Sequence, residues 1–164
     1  MRLNRVVYIL MGLEDLLSAD GVIPNLKARC KREVLAAIAE KASALTGVSA
    51  EQIRLRLLER EQLGSTGVGN GVAIPHGKVD GIGQVVGVLA RLDTPIDFDA
   101  VDDQPVDLVF LLLAPENATA AHLKALAKVS RLLREDNARA ALRGADTADA
   151  LFAIAVDLAR PHAA

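Results

Sequence analysis

Aromatic residues are nearly missing from this chain: of 164 residues three are Phe, one is Tyr and none is Trp. Surfaces that stack nucleic-acid bases are built from such rings, so that class of function has almost no material here, and the core must be aliphatic. A single cysteine, Cys30, excludes an intramolecular disulfide, and a reducing compartment, the cytoplasm, is the natural reading. Charge of one sign is not in excess: 19 Lys and Arg against 21 Asp and Glu leave a formal net charge of −2, which argues against generic polyanion binding. No apolar run approaches the roughly 20 residues of a membrane span; the longest, Leu108 to Ala114, falls far short, so an integral membrane protein is not expected. The start, MRLNRVVYILMGLEDLL, sets two arginines before an apolar patch, as a signal peptide does. The patch is short, however, Glu14 and Asp15 follow at once, and no small-residue cleavage site appears. Residues 1–12 read as an N-terminal extension.

What is present is an ordinary globular composition, 51% hydrophobic and 24% charged, on a length that suits one domain with a sizeable core. Residues 13–19 suit a helical turn, and Gly21 to Leu26 an edge strand that tolerates Pro24. Val34, Leu35, Ile38, Ala42 and Leu45 recur at helical spacing, and Gly47 ends that run. Ser49 and Gln52 form a capping-box signature for a second helix over Ala50 to Glu61. Gly64, Gly67, Gly69 and Gly71 then break helicity before a short strand, Val72-Ala73-Ile74, that leads into Pro75-His76-Gly77; Gly77 is expected to let the chain turn sharply. Val85 to Leu92 reads as a strand, Thr94 to Gln104 as an acidic loop, and Val106 to Leu113 as a central strand covered on both faces. Thr119 to Glu135 reads as an amphipathic helix with Leu123, Leu126, Ala127, Ser130 and Leu133 on one stripe. A short helix over Asn137 to Arg143 and a last one from Asp146 or Thr147 to about Arg160, stopped by Pro161, complete the chain. Helices and strands alternate without strict regularity, so an α/β fold with a mixed sheet and helices on both faces is expected.

Few residues can carry chemistry. The glycine run lacks the Lys-Ser/Thr of a phosphate-binding Walker loop, because Asn70-Gly71 stands there, and no strand precedes it as a dinucleotide fingerprint requires. Two readings fit it equally: a tight helix-to-strand connection, or a backbone cradle in which amides and the Ser65 and Thr66 hydroxyls face an anion. There are three histidines, His76, His122 and His162. His162 lies next to the C-terminus, where disorder is expected. His122 stands in the first turn of the amphipathic helix, where the helix dipole disfavours a protonated ring and favours a nearby anion; a partly exposed helix-start residue is the plainer reading. His76 follows a strand, where rigid scaffolds display reactive groups. Arg60 precedes it by sixteen positions and could pair with phosphate oxygens, although a solvated charge between Glu59 and Glu61 is the default for such a residue. No metal-ligand spacing appears, Asp80 four residues after His76 being the nearest approach to one, and G-x-S-x-G is missing. Asp97, Asp99, Asp102 and Asp103 look like a solvated loop.

Three segments together, GSTGVGNGVAIPHGK, TPIDFDAVDDQPVDLVFLLLAP and HLKALAKVSRLL, resemble enzyme IIA of the phosphoenolpyruvate-dependent phosphotransferase system, in its fructose/mannitol superfamily. Within it the nitrogen-regulatory branch is the most similar, on STG-x-GNG-x-AIPHGK and FDA-x-D-x-QPVDL. The resemblance covers roughly residues 13–157 and leaves 158–164 as a C-terminal tail. It implies a mostly five-stranded mixed sheet between helices. It also implies that His76 accepts a phosphoryl group from a small histidine phosphocarrier protein, itself charged by an enzyme I that uses phosphoenolpyruvate, so that no cofactor is bound directly. His122 would lie across the pocket as partner of the reacting ring, and Arg60 would stabilise charge. Ser65, Thr66, Gly67, Gly69 and Gly71 would face the phosphoryl group, with no metal.

The implied function is a regulatory phosphocarrier whose phosphorylation state biases binding to targets such as potassium transporters or sensor kinases. A sugar-specific IIA passing phosphoryl to a IIB partner is the alternative, and a module that kept the fold and lost the chemistry is a third.

Overall fold

The computed structural model describes residues 12–161, so the N-terminal extension through Met11 and His162 lie outside the described residues. Two single-turn 3-10 helices, Leu13–Asp15 and Ala19–Gly21, lead into strand β1 (Val22–Leu26). Helices α1 (Lys31–Thr46) and α2 (Ala50–Gln62) follow, then β2 (Gly67–Gly69), β3 (Val72–Ala73), β4 (His76–Val79), β5 (Val86–Ile96) and β6 (Val106–Pro115), and finally α3 (Thr119–Arg134), α4 (Asp136–Arg143) and α5 (Ala148–Ala159). The sheet runs β1-β5-β6-β3-β2, and β4 also pairs with β6. It is mixed, as expected: β6 is antiparallel to β5 but parallel to β3 and β4.

The split between β3 and β4 has a cause in the sequence. Both strands lie along β6, Ala73 opposite Val109 and His76 opposite Leu112, and Pro75 stands between them without an N–H to donate. The Pro75 carbonyl still accepts from Leu112 N, and Ile74 N donates to Thr66 O. The expected single strand is thus two collinear pieces, and His76 opens the second. Gly77 does not turn the chain: it lies inside β4 opposite Leu113, and the first positive φ after it belongs to Gly81.

β6 is buried along nearly its whole length and divides the core in two. Leu108, Phe110, Leu112 and Ala114 pack with the 3-10 helices, α3, α4 and α5. Val109, Leu111 and Leu113 pack with α1 and α2. Period-two alternation in a strand that is apolar on both faces builds a layer on each side.

Four expectations need adjustment. The glycine run contains a hairpin: Asn70 and Gly71 both have positive φ, 58° and 78°, and Gly69 pairs with Val72, as two-residue hairpins favour at Asn-Gly. β5 continues through Thr94, Pro95 and Ile96; its β1 partner ends at Leu92 and its β6 register is irregular between Arg91 and Ile96, so Pro95 forfeits no ladder bond. The buried stripe of α3 is His122, Ala125, Val129, Leu132 and Leu133, while Leu123 is 61% exposed; the helix is rotated because His122 belongs to its inner face. Finally, the capping box of α2 is half made, Ser49 Oγ accepting from Gln52 N.

Candidate active site

His76, His122 and Arg60, far apart in sequence, meet in space. His76 is half-buried at the start of β4. Its Nδ1 lies 2.8 Å from the Ile74 carbonyl. A carbonyl only accepts, so Nδ1 carries the proton, and in the neutral ring the lone pair resides on Nε2. The Arg60 Nε–H points at that lone pair over 3.3 Å. Arg60 itself is held in the last turn of α2 by its Nη1, which donates to the Gly64 carbonyl at 2.8 Å.

The His122 ring stands edge-on to that of His76, with centroids 5.6 Å apart and planes at 73°. It is buried, and among the described residues its Nδ1 has no hydrogen-bond partner. Burial pushes its pKa below the usual 6.5, and electrostatic interactions with His76 and Lys78 push in the same direction. Lys78 shares a strand face with His76, two positions on, and its Nζ donates to Thr119 Oγ1 at 2.8 Å, tying β4 to the first turn of α3. Arg56, on the turn of α2 before Arg60, is paired with Glu116 at 3.2 Å. The site gathers Arg60, Lys78 and the ion-paired Arg56 around two imidazoles. No cluster of three or more metal-ligating side chains occurs among the described residues.

The family described as "Phosphoenolpyruvate-dependent sugar phosphotransferase system, EIIA 2" matches residues 15–156. A nitrogen regulatory protein of Bradyrhizobium diazoefficiens is 49% identical over 144 residues, 88% of this chain and 94% of that one. This chain belongs to the EIIA 2 family, in its nitrogen-regulatory branch. A nitrogen regulatory protein of Pseudomonas aeruginosa is 42% identical over 91% of this chain and 97% of its own length. The crystal structure of the nitrogen regulatory protein IIA-Ntr from Neisseria meningitidis superposes with a TM-score of 0.82 at 34% identity, over 87% of this chain and 98% of that one. Membership of the family brings phosphotransfer chemistry and a histidine phosphocarrier-type partner, and a function as a nitrogen-regulatory phosphocarrier of the IIA type. No helix among the described residues is long and apolar enough to cross a membrane.

In this EIIA 2 domain the glycine-run residues are placed differently from the two rings. The Ser65 hydroxyl donates to the Phe98 carbonyl at 2.7 Å and accepts from Gly67 N. The Thr66 hydroxyl donates to the Glu61 carboxylate, which also accepts from Thr66 N. Gly67 pairs with Ala73, and its carbonyl accepts from Val101 N. Gly69 packs on Asp102, and the Gly71 carbonyl accepts from Asp107 N and Leu108 N. These groups hold the hairpin to the sheet and to the Phe98–Asp107 segment, whereas the hydrogen bonds of the His76 ring go to Arg60 and Ile74.

The residues around the site that sequence reasoning passed over are Lys78 and Glu61. Lys78 carried a usable signal, since a residue two positions from His76 on a strand shares its face. Glu61 carried none, because beside Glu59 and Arg60 it reads as one more surface charge.

Proposed function

We propose that His76 Nε2 is the phosphoryl acceptor of this nitrogen-regulatory IIA protein, with His122 and Arg60 as the groups that receive the charge it gains. The observation that supports this reading is the pairing of His76 Nδ1 with the Ile74 carbonyl, which leaves Nε2 as the nucleophilic atom and holds it beside Arg60 and His122. In the transfer, the Nε2 lone pair forms a bond to the phosphorus of the donor's phosphohistidine. The donor's N–P bond breaks, and its electron pair returns to the donor imidazole. The Nδ1 proton stays where it is, shared with the Ile74 carbonyl.

The Arg60 Nε–H that covers the lone pair at rest turns to the incoming phosphoryl oxygens, so a bond made to the nucleophile becomes a bond made to the transferred group. His122 is kept neutral by burial. Its unpartnered Nδ1 costs less as a bare lone pair than as a buried N–H, so Nε2–H is its donor toward the phosphoryl group. Ser65, Thr66, Gly67, Gly69 and Gly71 act in this reading by shaping the wall behind Arg60, since their hydroxyls and several carbonyls are already engaged. Leu63, Val68 and Leu123, exposed apolar residues on segments that adjoin the site, suit the docking of the carrier's apolar surface. The regulated targets, of the potassium-transporter or sensor-kinase kind, and a cytoplasmic setting complete the proposal.

The experiment is phosphorylation by phosphoenolpyruvate, enzyme I and a nitrogen-type carrier. Acid-labile, base-stable phosphate on the wild type and none on His76→Ala is the expected result. Label that persists in His76→Ala overturns the assignment of the acceptor, and a wild type that takes no label points to a fold that has given up the chemistry.

A further inference from the structure

The Arg60 guanidinium is set by two neighbours, His76 and the Gly64 carbonyl, and the Gly64 carbonyl is itself part of a closed loop. That loop is fastened by a buried charge. The Glu61 side chain is only 6% exposed, and its oxygens accept from Thr66 N at 3.1 and 3.2 Å and from the Thr66 hydroxyl. The Lys31 ammonium, from the start of α1, sits 2.5 Å from Glu61 Oε2 and 4.8 Å above the centre of the Phe98 ring. Phe98 returns to the same loop, its carbonyl accepting from Ser65 Oγ. The start of α1 and Thr66 thus meet on one carboxylate at the end of α2, one residue from Arg60, and Phe98 backs the cluster through Lys31 and Ser65.

A carboxylate taken out of water is costly unless it is paired and its oxygens are satisfied. This one is satisfied from three donors, and the structure it fixes is the six-residue span Glu61 to Thr66, with Gly64 at φ 142° in its middle. A flexible glycine would otherwise leave its carbonyl free to rotate. With the span closed, the carbonyl faces back to the last turn of α2 and takes Arg60 Nη1, which leaves Nε–H aimed at His76.

We propose that Glu61, clamped by Lys31 and Thr66, is a positioning residue for phosphoryl transfer that acts by orienting Arg60 toward His76 Nε2. This inference rests on the reading of His76 as acceptor and of Arg60 as the group that meets the phosphoryl charge. Glu61 touches neither the phosphoryl group nor the ring, so its whole effect on the reaction passes through Arg60. Misplacing a charge-stabilising group by about 1 Å slows a transfer by up to roughly a hundredfold.

The test is a double-mutant cycle on the phosphorylation rate of intact protein by the charged carrier, with a spectroscopic arm that needs no phosphate. Glu61→Gln and Lys31→Met are expected to slow His76 phosphorylation by about ten- to a hundredfold. Thr66→Val, which removes the hydroxyl, is expected to lower the rate, and Thr66→Ser, which keeps it, to recover most of that loss. On an Arg60→Ala background Glu61→Gln is expected to cause no further loss, because the group it orients is gone. In ¹⁵N spectra of the unphosphorylated protein, the Arg60 Nε–H and His76 Nε2 resonances are expected to move in Glu61→Gln and Lys31→Met and to return in Glu61→Asp.

An unchanged rate in Glu61→Gln, or an equal further loss on the Arg60→Ala background, overturns the proposal. Should Glu61→Gln fail to fold, Lys31→Met and Thr66→Val carry the same cycle. If the wild type itself takes no label, the phosphocarrier reading fails, and unmoved Arg60 and His76 resonances in the variants then dispose of the clamp separately.

Discussion

In the proposed reaction Arg60 is in an unusual position for a residue that assists a nucleophile, because its Nε–H occupies the lone pair that would attack. Removing it frees the nitrogen but strips the transition state of a charged donor. The second effect dominates, since a single oriented donor at developing charge is worth about a hundredfold or more in rate. Arg60→Ala is therefore expected to slow phosphorylation by about that factor in rapid-quench labelling with charged carrier. Arg60→Lys is not expected to restore it, because an ammonium cannot bond the Gly64 carbonyl and His76 from one planar fork.

His122 gives a pH signature. Burial lowers its pKa below 6.5, so the folded state holds the ring neutral more firmly than the unfolded state does. Its contribution to stability is complete above pH 6.5 and is lost as the pH falls below that value toward the lowered folded pKa. Thermal midpoints should fall across that range, and His122→Gln should flatten the dependence. On phosphorylation of His76 the sign reverses: a nearby dianion favours the charged ring, and NMR titration should show the His122 pKa rising.

At the scale of elements, the hairpin β2–β3 and helix α3 are the places where pattern and fold part company. Gly71 has φ 78°, and a side chain there would run into the Arg143 guanidinium and Asp107. Gly71→Ala is expected to lower unfolding free energy by more than about 1 kcal/mol in urea titration, through strain and through loss of the Arg143–Asp107 pairing. In α3, Leu132→Ala should cost about 2–5 kcal/mol, whereas Leu123→Ala should stay within about 0.5 kcal/mol because its side chain is largely in solvent. These are also the elements least legible beforehand. Asn70-Gly71 is a strong hairpin signal, yet within the glycine run it reads as a tight helix-to-strand connection or an anion cradle. The α3 stripe reads one position off because a histidine on the inner face counts as polar, although that histidine is part of the core. By contrast α1, with Val34, Leu35, Ile38 and Ala42 buried as the spacing required, and α5, capped by Thr147 and closed before Pro161, were plain in the sequence.

For the molecule as a whole, the mixed sheet with helices on both faces could be read from the order of apolar runs, and the meeting of His76, His122 and Arg60 was foreshadowed by resemblance. What no run of residues could show was how the two layers share the site. α2, with Ile53 and Leu57, belongs to the core on one face of the sheet, and α3, with Ala125 and Val129, to the core on the other. Damage to either layer should consequently reach the reaction by a different route. Leu57→Ala should disturb Arg60 and the rate of charging, while Leu132→Ala should disturb His122 and weaken its linkage to pH, both measurable by labelling and titration on protein that remains folded.

That arrangement also limits when the chemistry can begin. A chain with only one layer docked against β6 has at least one of the three groups out of place, so under the proposed mechanism newly made or damaged molecules would take up phosphate slowly. On that reading the phosphoryl mark would double as a certificate of completed assembly, issued fastest to finished molecules.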